Sequence, residues 1–348
     1  MQRTAGIKDV AAAAGVSVGT VSNVINRPGS VSDETRSRVQ AEIERLGYVR
    51  SEFARQLRAG RSRIIGMLVL DMGNPFFVNV AKGAEETARA AGAGVMVCNS
   101  GQSLDAEADY LSLFAEQRVR GVLLTPADST GRNLDVLRRN NIPYVLVDRV
   151  AADDSTLCSV SVDNVSGGAM AVRHLLSAGH RRIAFVGAGP DLQQIRDRHT
   201  GALLALAEAG LAPDSLVECA ADRLDVAAGR DAGARLLGLS PRPTSVFCAN
   251  DLLALGVLQT MFAAGVEVPA EMAIVGYDDI EFAAAAAVPL TSVRQPALTM
   301  GSMAAELLLE ESGDDAEPHQ HRHVVLPPEL VVRTSSMGLS QLGKPRSG

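Results

Sequence analysis

Cysteine is scarce in this chain. Cys98, Cys158, Cys219 and Cys248 are the four in 348 residues, and no two stand in a CxxC pair. That spacing fits reduced cytosolic thiols better than a disulfide framework or a zinc site. No apolar run reaches the roughly 18 residues that crossing a bilayer requires, so no membrane partner is expected. The opening MQRTAGIKDV lacks the apolar core of a secretory signal, which predicts a cytoplasmic protein. No GxSxG elbow or other nucleophile–base pattern stands out, so no enzymatic role is expected. FVGAGP places Gly187 and Gly189 after a strand, but Leu192 occupies the third glycine position of a dinucleotide loop. No cofactor is therefore expected. The tail 338–348, ending in LSQLGKPRSG, is polar, reads as disordered, and lacks the leucine heptads that would join dimers into tetramers.

What is present is uneven. The chain holds 33 basic and 40 acidic residues, but residues 1–63 hold 11 against 6, leaving 22 against 34 for the rest. A cationic head on an anionic body predicts that the head meets a polyanion and the body does not. Hydrophobic residues make up 47% of the chain, and its length suits two or three cores better than one.

Three helices read off the head. Ile7, Val10, Ala11 and Ala14 recur at helical spacing, and Gly15 ends the pattern. Ser17 can cap the second helix, in VSVGTVSNVIN at 16–26, which buries Val21, Val24 and Ile25 and turns Thr20, Ser22, Asn23 and Asn26 outward. Ser32 caps the third, with Asp33 and Glu34 in its first turn and Val39, Ile43 and Leu46 inside; Gly47 stops it. Two short helices joined by a tight glycine-containing turn form a helix-turn-helix, whose second helix enters the major groove. Small apolar residues let that helix pack closely, while Ser, Thr and Asn reach bases and phosphates. An ordinary three-helix core with a polar solvent face would not need so many poor helix formers. Next, SEFARQLRAGRSR aligns Phe53, Ala54 and Leu57 on one stripe among four arginines. A helix that short is marginal alone, and could fold only against DNA or a second copy, where its leucine could wedge between base steps.

From residue 64 the pattern alternates apolar strands with helices: IIGMLVL, GVMVCNS, GVLLTP and PYVLVD in one series, RIAFVG, VECAAD, SVFCAN and AIVGYDD in a second. Such alternation predicts parallel sheets covered by helices, here as two doubly wound lobes with a cleft between them. Ligands of these sheets bind beyond the carboxyl ends of the strands. Those ends carry Asp71, Asn74 with Phe76-Phe77, Asn99-Ser100, Thr125, Asp148-Arg149, Asn250-Asp251 and Asp278-Asp279, and Arg198 opens a helix beside them. Asp, Asn and Arg with an aromatic face suit a polyhydroxylated or heterocyclic small molecule. Any one of them could equally be a helix cap.

GIKDVAAAAGVSVGTVSNVIN, VSDETRSRVQAEIERLGYV and ARQLRAGRS together resemble the head and hinge of the LacI/GalR family of bacterial transcriptional regulators. NPFF, VDNVSGGAMAVRHLLSAGHRRIAFVG, RDRHTG, FCANDLLALGVL and VPAEMAIVGYDD resemble that family's effector domain, so the likeness spans nearly the whole chain. It implies an α/β protein: an all-α helix-turn-helix head, 1–49; a hinge helix and linker, 50–63; and a two-lobed, type I periplasmic-binding-protein-like effector and dimerisation domain, 64–337, with doubly wound parallel sheets. Lobe one would take about 64–161 and 294–322, and lobe two 163–291 and 324–337, with crossings near 161–163, 292–295 and 322–324. DNA-facing positions are then Lys8, Ser17, Val18, Gly19, Thr20, Ser22, Asn23, Asn26, Ser32 and Tyr48, with Ala54 and Leu57 in the hinge. Effector contacts are Asp71, Phe76, Phe77, Asp148, Arg149, Arg198, Asn250 and Asp278. The implied partners are a palindromic operator in double-stranded DNA, a small-molecule effector of the sugar class, and a second copy in a homodimer. Some positions depart from the commonest pattern. Gly6 stands where Thr is frequent, Arg50-Ser51 replaces Pro-Asn, and Gly19 offers no side chain, shifting base reading to Val18 and Asn23, which can meet a thymine methyl and an adenine.

His319, His321 and His323 alternate in HQHRH. Set in a Pro- and acid-rich loop, they read as exposed loop histidines, and no metal is expected. A sugar-binding protein for transport or sensing shares the body's pattern, but not the head.

Overall fold

The computed structural model describes residues 5–48, 62–127, 131–151, 156–188, 192–313 and 319–337. The hinge positions Ala54 and Leu57 and the tail 338–348 lie outside the described residues. The chain divides into two bodies, Met1–Ser62 and Arg63–Gly348.

In the first body, α1 (Ile7–Ala14), α2 (Val18–Asn26) and α3 (Asp33–Leu46) close around Val10, Ala11, Ala14, Val21, Val24 and Val39. Their ends are set chemically. Gly15 and Gly47 take left-handed backbone at φ 64° and 59° after α1 and α3, which glycine adopts without a Cβ clash. Ser17 Oγ accepts the Thr20 N–H at 3.0 Å, and Ser32 Oγ accepts that of Thr35 at 3.4 Å. The helix-turn-helix is therefore α1, the 15–17 turn and α2. Ser22 departs from the expected outward face: it is 9% exposed. Its carbonyl accepts the Asn26 side-chain amide at 2.7 Å. The cause is angular, since Ser22 follows Val21 directly and lies within the buried arc of a nine-residue helix.

The second body holds two six-stranded sheets. The first runs β11-β5-β4-β3-β1-β2, from β1 (Ile64–Val69), β2 (Gly94–Asn99), β3 (Gly121–Leu124), β4 (Tyr144–Val147), β5 (Cys158–Val162) and β11 (His323–Leu326), all parallel. The second runs β12-β10-β9-β8-β6-β7, from β6 (Ile183–Ala188), β7 (Leu216–Ala221), β8 (Ser245–Cys248), β9 (Ala273–Asp278), β10 (Thr291–Arg294) and β12 (Glu329–Val331). Only the β10–β12 pair is antiparallel. The helices are α4 (Pro75–Ala90), α5 (Leu104–Glu116), α6 (Asp135–Arg139), α7 (Asn164–Ser177), α8 (Gln193–Glu208), α9 (Val226–Leu237), α10 (Asp251–Ala263), α11 (Glu281–Ala285) and α12 (Ala297–Glu311).

One expected crossing is corrected. β11 pairs with β5, His323 opposite Ser159 through Leu326 opposite Val162. The last passage between sheets therefore falls after Leu326, at Pro327-Pro328, and not near 322–324. Two prolines cannot donate to a ladder, so they end one strand before the next begins.

Three helix pairs meet through reciprocal glycines. A Cβ on Gly83 of α4 would stand 2.0 Å from the Leu298 carbonyl oxygen, and one on Gly301 of α12 would stand 1.9 Å from that of Val80. A Cβ on Gly168 of α7 would stand 2.0 Å from the Arg198 carbonyl oxygen, and one on Gly201 of α8 would stand 1.9 Å from that of Val165. Gly229 of α9 and Gly256 of α10 repeat the arrangement. No larger residue permits backbones this close.

Candidate functional site

On α2, the exposed residues are Val18 (40% exposed), Gly19, Asn23 and Asn26, with Thr20 half-buried. Ser17 and Ser32 are exposed too, but their hydroxyls are also used as helix caps. Lys8 is exposed on α1, and Tyr48 is half-buried against the head's core. Short side chains thus leave the α2 surface low, and the adjoining backbone can approach a groove wall closely.

In the second body a cleft is lined by Asp71, Asn74, Phe76, Phe77, Asp148, Arg198, Asn250 and Asp278, with Gln102, Gln194, Ile195, Leu70 and Leu224. It draws on both sheets: Asp71 follows β1, Asp148 follows β4, and Asp278 ends β9. Of the expected effector contacts, the structure brings all but one into this wall. Arg149 does not line it. Both residues lie beyond β4, where Asp148 takes left-handed backbone and redirects the chain before Arg149.

Arg198, 3% exposed, is locked from three sides. Its Nε donates to Asn164 Oδ1 at 2.8 Å, one terminal nitrogen donates to the Ala249 carbonyl at 2.6 Å, and the guanidinium lies 3.7 Å from the Tyr277 ring centroid. Neither hydrogen bond uses the other terminal nitrogen. Gly168 contributes indirectly, because its missing Cβ admits the Arg198 backbone against α7.

Asp148 is 2% exposed, and its Oδ1 has no hydrogen-bond partner. Burial pushes its carboxyl up to about 7, Arg198 opposing and Asp278 reinforcing the rise. Asp278 is raised as well, chiefly by burial, against the pull of Arg198, Asn74 and Gln295. Both residues hold left-handed backbone, φ 56° and 102°, an unfavourable state for a residue with a Cβ that is typical of functional sites.

Asp278 is already engaged. Asn74 Nδ2, from the first lobe, donates to its Oδ2 at 2.8 Å, and Gln295 Nε2 donates to its Oδ1 at 2.7 Å. The first of these bonds bridges the lobes directly. Asn250 Oδ1 caps α10 by accepting the Leu253 N–H at 2.9 Å, while its amide donates to the Leu224 carbonyl at 3.0 Å. Phe76 and Phe77 are buried edge to face, their centroids 5.0 Å apart. Two rim acids are structural. Asp251 accepts from Ser292 and the Ile280 N–H, and Asp279 pairs with Arg294 and Arg333. Sequence reasoning missed Asn164, Gln295 and Tyr277. Each acts through a residue distant in the chain: Gln295 and Asn164 follow the ends of β10 and β5, in or beside the expected crossings, and Tyr277 within β9 reads as core.

The histidines also need correction. The His319 side chain is only 13% exposed, and it packs with His321 against Cys158. The reason is tertiary: β11 docks on β5 and draws the preceding segment in with it.

A helix-turn-helix head and a polar cleft between two parallel-sheet lobes define a DNA-binding transcriptional regulator under small-molecule control. Residues 6–51 match the bacterial regulatory proteins of the lacI family, and residues 172–336 match the periplasmic binding protein-like domain. The HTH-type transcriptional repressor PurR of Photobacterium profundum is 36% identical over 336 residues, 96% of this chain and 99% of that one. Among solved structures, the transcriptional regulator CelR–cellobiose complex is 31% identical, with TM-score 0.71, covering 95% of this chain and 99% of that one. The lac repressor dimer bound to operator and the anti-inducer ONPF is 27% identical, with TM-score 0.81, covering 96% and 100%. The chain belongs to the LacI family of bacterial regulatory proteins. The lacI-family match over the head sets aside a purely transport role. No helix among the described residues is long and apolar enough to cross a membrane.

Proposed function

We propose that this regulator is a cytoplasmic, non-enzymatic homodimer that reads a palindromic operator and senses a neutral polyhydroxylated molecule, a sugar, in the cleft. One observation carries the effector class. An unpartnered buried oxygen of Asp148 stands in the same wall as Arg198 and the rings of Phe76 and Phe77. An acceptor, a donor and an apolar face match the hydroxyls and the ring face of a sugar. The likeness to a cellobiose complex supports the same class. Asp278 acts as the inter-lobe latch to Asn74 and Gln295 as well as a ligand partner, and Asn250 positions the rim through its cap.

Residues 1–49 read DNA, 50–63 couple, and 64–337 sense and dimerise. Val18 and Asn23 read bases; Lys8, Ser17, Thr20, Asn26, Ser32 and Tyr48 hold the backbone, and Ser22 supports them from the buried side. Apolar Met96 and Val97, exposed on edge strand β2 at 37% and 36%, support a subunit interface.

The test of the cleft is a gel shift on upstream DNA of the chain's own locus with a panel of sugars, parent against Arg198→Ala. The variant is expected to bind operator as the parent does and to lose the response to the sugar; a retained response would place the effector elsewhere. For the coupling segment, Leu57→Ala is expected to weaken operator binding roughly tenfold, about 1.4 kcal/mol, with effector affinity unchanged in calorimetry. Equal operator affinity would reject a groove-wedging role.

A further inference from the structure

At the far end of the first sheet from the effector cleft, four side chains from three segments converge. Cys158 opens β5, Glu311 ends α12, and His319 and His321 precede β11. One donor atom from each lies within 4.8 Å of all the others. Cys158 Sγ stands 3.1 Å from His319 Nε2 and 3.8 Å from His321 Nδ1, and the two imidazoles meet edge to face with centroids 5.2 Å apart. Glu311 Oε2 is buried and has no hydrogen-bond partner.

We propose that Cys158, Glu311, His319 and His321 form a binding site for one divalent zinc-class cation, distinct from the effector cleft. One sulfur, two imidazole nitrogens and one carboxylate oxygen are a borderline-soft, four-ligand set. Tetrahedral coordination with metal–ligand distances of about 2.0–2.3 Å spaces neighbouring donors by about 3.5 Å. The observed separations reach that with small side-chain rotations. Beside the cluster, His319 Nδ1 lies 3.9 Å from Glu310 Oε2, the carboxylate oxygen that Arg322 also engages. The Arg322 N–H donates to Cys158 Sγ at 3.4 Å and fixes the direction of the sulfur. A bound cation would take up the orphaned Glu311 oxygen, whose burial without a partner is otherwise costly.

The site would clip the end of α12 to the β5–β11 edge, at the end of the sheet from which β1 also starts. The effector cleft lies beyond the opposite ends of those strands. A four-residue advance along β5, from Cys158 to Val162, already separates the two ends by about 13 Å.

The test uses the full chain without a histidine tag, reduced and stripped with chelator, then titrated with Co2+ and afterwards Zn2+. The expected result is one equivalent of Co2+ per chain with a thiolate-to-cobalt charge-transfer band and tetrahedral d–d bands. Zn2+ should abolish the bands and raise Tm. Cys158→Ser should lose the charge-transfer band, His319→Ala and Glu311→Gln should weaken binding at least tenfold, and Cys98→Ser should change nothing. Absence of the band in the parent, its survival in Cys158→Ser, or unchanged affinity in His319→Ala would each overturn the proposal. If Cys158→Ser does not fold, His321→Ala decides on the same spectrum, a tenfold loss supporting the site and parental binding refuting it.

Discussion

At Asp148 one carboxylate oxygen is buried without a partner, on a backbone held at φ 56°. Both features disfavour the folded state, and a ligand that donates to that oxygen relieves the first of them. The proton balance gives a sign. A carboxyl ordinarily titrates near about 4, and burial raises this one to about 7. The folded chain therefore holds a proton that the unfolded chain has released, and stability falls as pH rises from about 4 to about 7. Asp148→Asn removes that loss. It is expected to raise Tm above the parent at pH 8, with the difference shrinking towards pH 5, while the effector response disappears. Scanning calorimetry at the two pH values decides, and a pH-independent difference would show that the charge is not the cause. Arg198 is the complementary case, since three partners hold the cation before any ligand arrives.

Among the elements, the helix pairs α4–α12, α7–α8 and α9–α10 rest on glycines that face carbonyl oxygens. Gly201→Ala would put a methyl 1.9 Å from the Val165 oxygen. The helices must separate, at a cost on the order of 1–3 kcal/mol, and Arg198, one turn earlier on α8, must shift with them. We expect a lower Tm and a weaker effector response, with operator binding retained at low temperature; a parental Tm would mean that the helices part freely.

Elements also show what the sequence makes legible. The ends of the head's helices are readable to the residue, because Ser17, Ser32, Gly15 and Gly47 act on their own neighbours, whereas the buried face of Ser22 is not. Helical periodicity marks α4 only from residue 81, although Asn74 and Pro75 mark its true start as cap and first residue. The roles of rim residues are half legible. Strand ends point to Asp148 and Asp278, but not to the bonds that Asn74 and Gln295 already make with Asp278. Asn74 lies 204 positions from Asp278, and no local pattern reports such a bond. The burial of His319 against Cys158, 161 positions apart, is illegible for the same reason.

For the whole molecule, charge and topology assign separate tasks to separate bodies. The first 63 residues carry a basic excess and the remainder an acidic one, so DNA affinity should fall steeply with salt while effector affinity should not. Coupling between the two must be reciprocal: whatever factor the effector applies to operator affinity, operator applies to effector affinity. The measurement closest to the central claim is an anisotropy titration of a palindromic operator duplex at fixed salt, with and without saturating effector, paired with calorimetry of the effector with and without operator. The account predicts one shared factor of about 5–150 in both titrations, absent in Arg198→Ala. Operator affinity unmoved by an effector that binds the cleft would contradict it.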